Sequence, residues 1–297
     1  MNNIIPASII TVIWLGSFVI SSTPYLLVDS SSKIVNLSLI ALGLLLFVFT
    51  STIIAGVVSL IGKSGIKRGK FPRDLDHPVY FKRRIYGICW TQLFYFKPIY
   101  SVVISIPILK KIVFRLFGYK GSMDITIYPD TWIRDLPLLK FSPKTYLSNR
   151  ATIGSNICLN DGTILVDGIT TGNSAMIGHL AMVAPGCKIA AKSEVGVGTA
   201  LGIRVRMGTS SIIKPTCAIN HGVVIGDNCD IGSHTYLGLK TIIGNNVVLP
   251  PGSNIPNGST IMNQEEANNY YSSETLKLEK QKDTMAQLLI KTLNHGS

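Results

Sequence analysis

The sequence predicts an all-β parallel β-helix of hexapeptide repeats, carried behind an N-terminal transmembrane helical hairpin and a set of amphipathic helices. Three observations carry this. From Thr145 to Gln264 the chain divides into 20 six-residue rows, and the third place is Leu, Ile, Val or Met in 19 of them; only Thr171 departs. Two long stretches near the N-terminus, residues 4–28 and 34–62, contain no charged side chain. The net charge of +12 is gathered in the segment between the spans and the repeat. These divide the chain into a hairpin (1–62), a basic connector (63–121), the β-helix (122–264) and a helical tail (265–297).

Each uncharged stretch is long enough to cross a bilayer as a helix. The residues between them, 29–33 (DSSSK), are too few for anything but a tight hairpin, so both outer ends lie on one side. A cleaved signal peptide fits poorly, because no basic segment precedes the first stretch and a second follows at once. Lys63, Lys67, Arg68, Lys70 and Arg73 come directly after the second span. By the positive-inside rule this makes a multi-pass membrane protein with its β-helix in the cytoplasm.

Between Lys63 and Lys120 there are 13 basic residues against Asp74 and Asp76, a local charge of +11. A basic segment beside membrane spans favours anionic lipid as its partner over nucleic acid. Residues 78–120 are rich in aromatics and interrupted at Lys97-Pro98 and Pro107. The spacing predicts amphipathic helices in the headgroup zone, with Lys and Arg snorkelling. Ile112, Val113, Leu116 and Phe117 form one apolar face beside Lys110, Lys111 and Arg115. A third span between 85 and 109 is the alternative.

The rows read TYLSNR, ATIGSN, ICLNDG, TILVDG, ITTGNS, AMIGHL and onward, without a written insertion over 120 residues. Each is a short extended segment with an inward aliphatic residue, followed by corner residues. One turn cannot bury its own apolar face, but stacked turns share a core. Residues 122–144 have the look of an irregular first coil, with Trp132 and Phe141 placed to cap the open end. Leu278, Met285, Leu289 and Leu293 form a helical stripe in the tail. Five cysteines show no CxxC pair and no zinc spacing, which suits small buried residues in a reducing compartment.

The repeat resembles the left-handed β-helix (hexapeptide-repeat) acyltransferases, whose pattern is [LIV]-[GAED]-x-x-[STAV]-x. That resemblance implies left-handed winding, three rows per coil, nearly seven coils and a homotrimer. It also implies an acyl donor, acetyl-CoA, acyl-CoA or acyl carrier protein, with the pantetheine arm along the coil groove. A looser resemblance covers residues 70–200. PVYFKRR, PILKKIVFRLFGYKG and TWIRDLPLLKFSPKTYLSNRATIGSN are similar to the acyltransferase-like terminal domain of poly-lysine-synthetase-type peptide synthetases. Those relatives often carry a His just after the first regular rows, where this chain has Asn156 and Asn160.

Acyl transfer to a hydroxyl or amine needs a proton acceptor and donors for the oxyanion. The candidates among five histidines are His221 and, at the same fifth place of its row, His179. Ile219-Asn220-His221 followed by Val224-Ile225-Gly226-Asp227 is similar to the region around the catalytic His of UDP-sugar lipid-A acyltransferases. This implies a general base at His221; the alternative is a plain corner histidine. His234 is placed to assist or to face solvent, and His77 reads as structural or lipid-facing. The main-chain N–H of Gly238, one coil above Asn220, is the expected oxyanion donor. Lys240, Arg204 and Arg206 are the expected cations for donor phosphates, among a wider set with Lys188, Lys192 and Lys214. The histidine spacings do not fit a γ-class carbonic anhydrase, and no metal is expected. GVGTALG (196–202) falls in register with the rows and is coil, not a phosphate loop. The expected activity is therefore O- or N-acyl transfer to a lipid-linked or small-molecule acceptor at the membrane. A non-catalytic β-helix scaffold is the alternative.

Overall fold

The computed structural model describes residues 4–28 and 31–271. His295 and the tail stripe from Leu278 to Leu293 lie outside the described residues. Helices α1 (Ile4–Leu27) and α2 (Lys33–Lys63) pack side by side, and both are long and apolar enough to cross a bilayer. At 1.5 Å per residue α2 is about 46 Å long, more than the ~30 Å of hydrocarbon it could span. Its C-terminal half packs on protein instead. Ser51, Thr52, Ala55, Gly56, Ser59 and Gly62 are buried there, a stripe of small residues recurring every three or four positions. Small side chains let helix backbones approach closely. A Cβ added at Gly62 would lie 2.5 Å from the Tyr86 nitrogen.

Tyr86 belongs to α3 (Pro78–Tyr95), which is followed by α4 (Lys97–Ser105) and α5 (Pro107–Leu116). Each of the three has a Pro at its first turn, where a missing N–H costs nothing. No helix runs through 85–109: the chain breaks at Phe96 and Ile106, just ahead of Pro98 and Pro107. Much of the apolar surface of these helices is taken up by protein. The apolar faces of α3–α5, with Tyr86, Trp90, Phe94, Tyr100, Val113 and Phe117 buried, meet α2 and the first coil of the solenoid. Trp90 is the centre of this plug. Its ring meets Tyr100, Phe114 and Phe117 edge-on at 5.2–6.1 Å, and its indole N–H donates to the Ile133 carbonyl at 2.6 Å. Such edge-to-face pairs add to area burial. Phe94 packs on Trp132 at 4.7 Å. Only a few large apolar residues of this region, such as Ile108 and Ile112, stay exposed.

The solenoid is a three-faced prism. Each face is a parallel sheet of seven strands, so there are seven coils. In the regular part every residue pairs with the one 18 positions on: Met176, Glu194, Ile212, Asp230 and Val248 form one column. The third place of each row points inward, as expected. The first place does too, and it holds Ala, Cys, Ser, Thr or Val. Where this residue is polar, its hydrogen finds a carbonyl 15 residues on through most of the stack, and Ser253 and Ser259 in the last coil turn back three residues instead. Ser193 donates to Gly208 at 2.6 Å, Ser211 to Gly226 at 2.7 Å and Cys229 to Gly244 at 2.9 Å. A buried polar group without such a partner would cost about 1–3 kcal/mol. The sixth place takes the left-handed conformation at every row from Ser174 to Gly258. Its N–H donates to the fifth-place carbonyl of the preceding coil, as from Lys240 to His221 at 2.9 Å. That bond fixes the corner against the ~1 kcal/mol intrinsic cost of the conformation for non-glycine residues.

The uninterrupted stack read from the sequence is wrong at one place. Tyr146 pairs with Met176, 30 residues on, not 18. Residues 156–167 leave the solenoid as an antiparallel hairpin of strands Asn156–Cys158 and Thr163–Val166. Strand Gly69–Pro72, just after α2, adds to its outer edge. Twelve residues are two whole rows, so the written repeat hides the departure. The hairpin's ends are adjacent, with the Asp167 N–H donating to the Ser155 carbonyl at 3.0 Å. Deleting 156–167 would restore the 18-residue spacing between Tyr146 and Met176. We expect the deleted chain to keep its β-sheet circular dichroism and to lose the function built around the hairpin.

Candidate functional site

The hairpin leaves at the edge between the second face (strands from Trp132–Ile133 to Asn254–Ile255) and the third face (Leu139–Phe141 to Thr260–Ile261). It leans over the second face and encloses a groove of about 370 Å³. The groove floor is made by outward residues of four successive coils: Thr152 and Gly154, then Met182 and Ala184, then Ala200 and Gly202, then Ala218 and Asn220. Apart from Met182 and Asn220 the floor side chains are small, which keeps the groove open. Four stacked strands span about 14 Å at the usual interstrand spacing. Asn156 and Ile157 of the hairpin close one end and His221 stands at the other. Beyond it, Asn220 donates its amide to the Tyr236 hydroxyl at 2.8 Å.

A second cavity, about 500 Å³, lies on the other side of the hairpin, between it, α3 and α1. Arg73, Arg83, Arg84 and Arg134 line it together with Tyr80, Gln92, Asn156 and Cys158, and Ile10 of α1 and Ile164 of the hairpin supply apolar wall. Among the described residues no acidic side chain lines it. Behind it, Asp135 is fully buried in an ion pair with Arg83. Asp135 also accepts from Ser155 Oγ at 2.5 Å and from Asn156 Nδ2 at 3.2 Å. Asn156 is therefore fixed by a buried carboxylate and lines both cavities.

The structure gathers several expected residues along the edge between the second and third faces. His221 and Gly222, Arg204 and Lys240 are corner residues there, and Arg206 lies just beyond on the third face. Arg204 reaches Asp167 at the hairpin's base, 3.4 Å away, where Arg68 pairs with the same carboxylate. His179 and His234 stand at the edge between the first and second faces and line neither cavity. His77 precedes α3 and is likewise outside both.

Two expected roles are corrected by hydrogen bonding. The Gly238 N–H donates to the Ile255 carbonyl at 2.9 Å as part of the sheet, so it is not available to an oxyanion. His221 Nδ1 accepts the Ile203 N–H at 2.9 Å. A neutral ring that accepts at Nδ1 carries its proton on Nε2. As placed, His221 offers the groove a donor, not a base. The same corner bond recurs at the same place of other rows: Asp227 accepts from Thr209, Asn245 from Asp227 and Asn257 from Leu239. His221 is thus one member of a ladder of corner caps, distinguished by its second ring nitrogen.

Sequence reasoning missed the arginine cavity, because its side chains come from a loop, a helix, the first coil and the hairpin. It also passed over Cys158 as one more small buried residue. Cys158 is exposed, while Cys89, Cys187, Cys217 and Cys229 are buried and unpaired. Burial pushes the Cys89 and Cys187 thiols up to about 12. Because the thiolate is the nucleophile, we expect a maleimide to label one thiol of the folded protein, at Cys158, and five after denaturation.

No family profile matches the chain, and no curated protein matches it in sequence. Among solved structures it is similar to a GDP-perosamine N-acetyltransferase variant from Caulobacter crescentus with CoA and GDP-perosamine. Identity is 16%, over 50% of this chain and 60% of that one, with a TM-score of 0.32. It is also similar to the acetyltransferase domain of PglB from Neisseria gonorrhoeae with acetyl coenzyme A (10%, 51% and 62%, TM-score 0.21). A third is a UDP-N-acetylglucosamine acyltransferase from Bacteroides fragilis (19%, 42% and 58%, TM-score 0.19). The chain covers 58–62% of the length of these three.

Proposed function

We propose that the protein is a membrane-anchored acyltransferase. A thioester donor lies along the groove, the acceptor enters it from the arginine-lined cavity past Asn156, and the two meet within reach of His221. The observation that carries this reading is that one side chain, held by a buried carboxylate, lines both cavities. Coenzyme A and acyl carrier protein both present a pantetheine arm, which suits a narrow groove floored mostly by small side chains. Arg204, Arg206 and Lys240 along the adjoining edge would pair with donor phosphates.

In this reading the acceptor O–H or N–H attacks the thioester carbonyl carbon. The new C–O or C–N bond forms, the C–S bond breaks, and the displaced proton ends on the departing sulfur. The carbonyl oxygen gains charge on the way, and a positioned donor lowers that barrier. His221 Nε2–H is the donor assigned here. A base role would need the ring to give up its bond from Ile203. The basic residues after α2 favour a cytoplasmic solenoid, where acyl-CoA is found, and the resemblance in the repeat favours a homotrimer.

The test supplies membranes from cells with and without the protein with isotope-labelled acetyl-CoA, and separately with labelled acyl carrier protein. Mass spectrometry of lipids and glycans then looks for a labelled acyl adduct that requires the protein. A chain that yields no adduct with either donor is the scaffold of the alternative reading.

A further inference from the structure

The arginine cavity has features that acyl transfer alone does not require. Four guanidinium groups line it with no carboxylate beside them among the described residues, and Asp135 behind it offsets one of the four charges. Arg83 is the telling member. Its side chain is 5% exposed; one terminal nitrogen is committed to Asp135, but Nη1 has no hydrogen-bond partner. Nε of Arg134 is also buried without a hydrogen-bond partner, 3.8 Å from the Asp135 carboxylate. Buried donors are nearly always satisfied, and a guanidinium presents its donors in a fork matched to phosphate. The opposite wall is apolar and belongs to the membrane hairpin: Ile10 of α1 lines it, and Trp14, one turn along, donates to Gln92 at 3.0 Å at its rim.

We propose that this cavity binds the phosphate of a membrane lipid, with Arg83, Arg84 and Arg134 on the phosphate oxygens and the lipid's apolar part against α1. A free phosphate compound shares the headgroup chemistry but has nothing to place on Ile10, and the first span would have no reason to wall the site. The inference rests on the acyltransferase reading only in making this lipid the acceptor or its carrier; the binding itself stands apart from catalysis.

Cys158 lines the cavity and reports its occupancy. The full chain in detergent micelles is alkylated with maleimide, without any thioester donor, against rising concentrations of dioctanoyl phosphatidic acid. Dioctanoylglycerol and inorganic phosphate serve as the separate arms. Phosphatidic acid is expected to slow Cys158 labelling, diacylglycerol to leave it unchanged, and inorganic phosphate to act only at far higher concentration. Arg84→Gln removes a half-buried guanidinium without breaking an ion pair. Gly87→Ala places a methyl 2.5 Å from Arg134 Nη2 and displaces that group while favouring the helix. Each should weaken protection roughly tenfold, as expected for one charge-assisted contact, with the thermal midpoint unchanged. Equal protection by diacylglycerol, or inorganic phosphate as potent as the lipid, would overturn the proposal. So would variants that protect like the parent. If protection fails while labelled acyl transfer persists, the phosphate site is wrong and the enzyme reading stands; protection without transfer leaves the reverse.

Discussion

His221→Asn is expected to leave the solenoid as stable as the parent and to lower acyl transfer by about 10²-fold, the usual cost of one oxyanion donor. One ring has two functions. At the corner, His221 Nδ1 caps the Ile203 N–H, and Asn245 and Asn257 make the same bond at the same place of their own rows. Asparagine therefore preserves the cap. It is too short to carry a donor to the position of Nε2, so what it removes is the group facing the groove. His221→Ala removes both and should lower the thermal midpoint as well as the rate. The informative pair is thermal unfolding and single-turnover transfer measured on the two variants side by side. If Asn supports full transfer, His221 is a corner cap and nothing more.

How much of this was legible in the sequence depends on how local each signal is. The third-place aliphatic residues announce the solenoid because each contributes alone to a shared core. The first-place residues were legible in principle, since Ala175, Ala181, Cys187 and Ser193 run in a column of small side chains, but polarity disguised them as exposed. The hairpin hid in register because 12 is a multiple of six. Its signal was Asp161-Gly162, a dipeptide favoured in hairpin turns, with Gly162 at φ +78°; a second Asp-Gly, 167–168, marks the return. The connector's amphipathic faces were legible, but not what they face. Lipid and a solenoid's open end ask for the same apolar stripe, and only the three-dimensional arrangement shows Trp90 donating to Ile133. The site was least legible. Arg83, Arg134 and Asn156 are far apart in sequence and converge only because α3 lies across the first coil. Asn156 marks the place where both cavities meet.

That convergence depends on Asp135, and Asp135→Asn is expected to destabilise the protein by about 3–5 kcal/mol, the cost of leaving one partner of a buried pair charged and alone. The side chain is fully buried and takes four neighbours at once: Arg83, Arg134, Ser155 and Asn156. Its backbone is left-handed at φ 56°, a conformation asparagine tolerates, so the substitution isolates the charge from backbone strain. Arg83 would then be held in a nearly dry site without a counter-charge. At about 2–4 °C per kcal/mol for a chain of this size, the thermal midpoint in detergent should fall by on the order of 10 °C. Adding Arg83→Met to Asp135→Asn removes the stranded charge and should recover a large part of that loss, because neighbouring sites that share one interaction are not additive. Recovery of stability should not bring recovery of function. The double variant has lost the buried guanidinium that lines the cavity and the carboxylate that fixes Asn156, so lipid protection of Cys158 and acyl transfer should both stay low. An Asp135→Asn protein that melts with the parent would mean that water reaches Arg83, and that the cavity is a solvated surface with no built site in it.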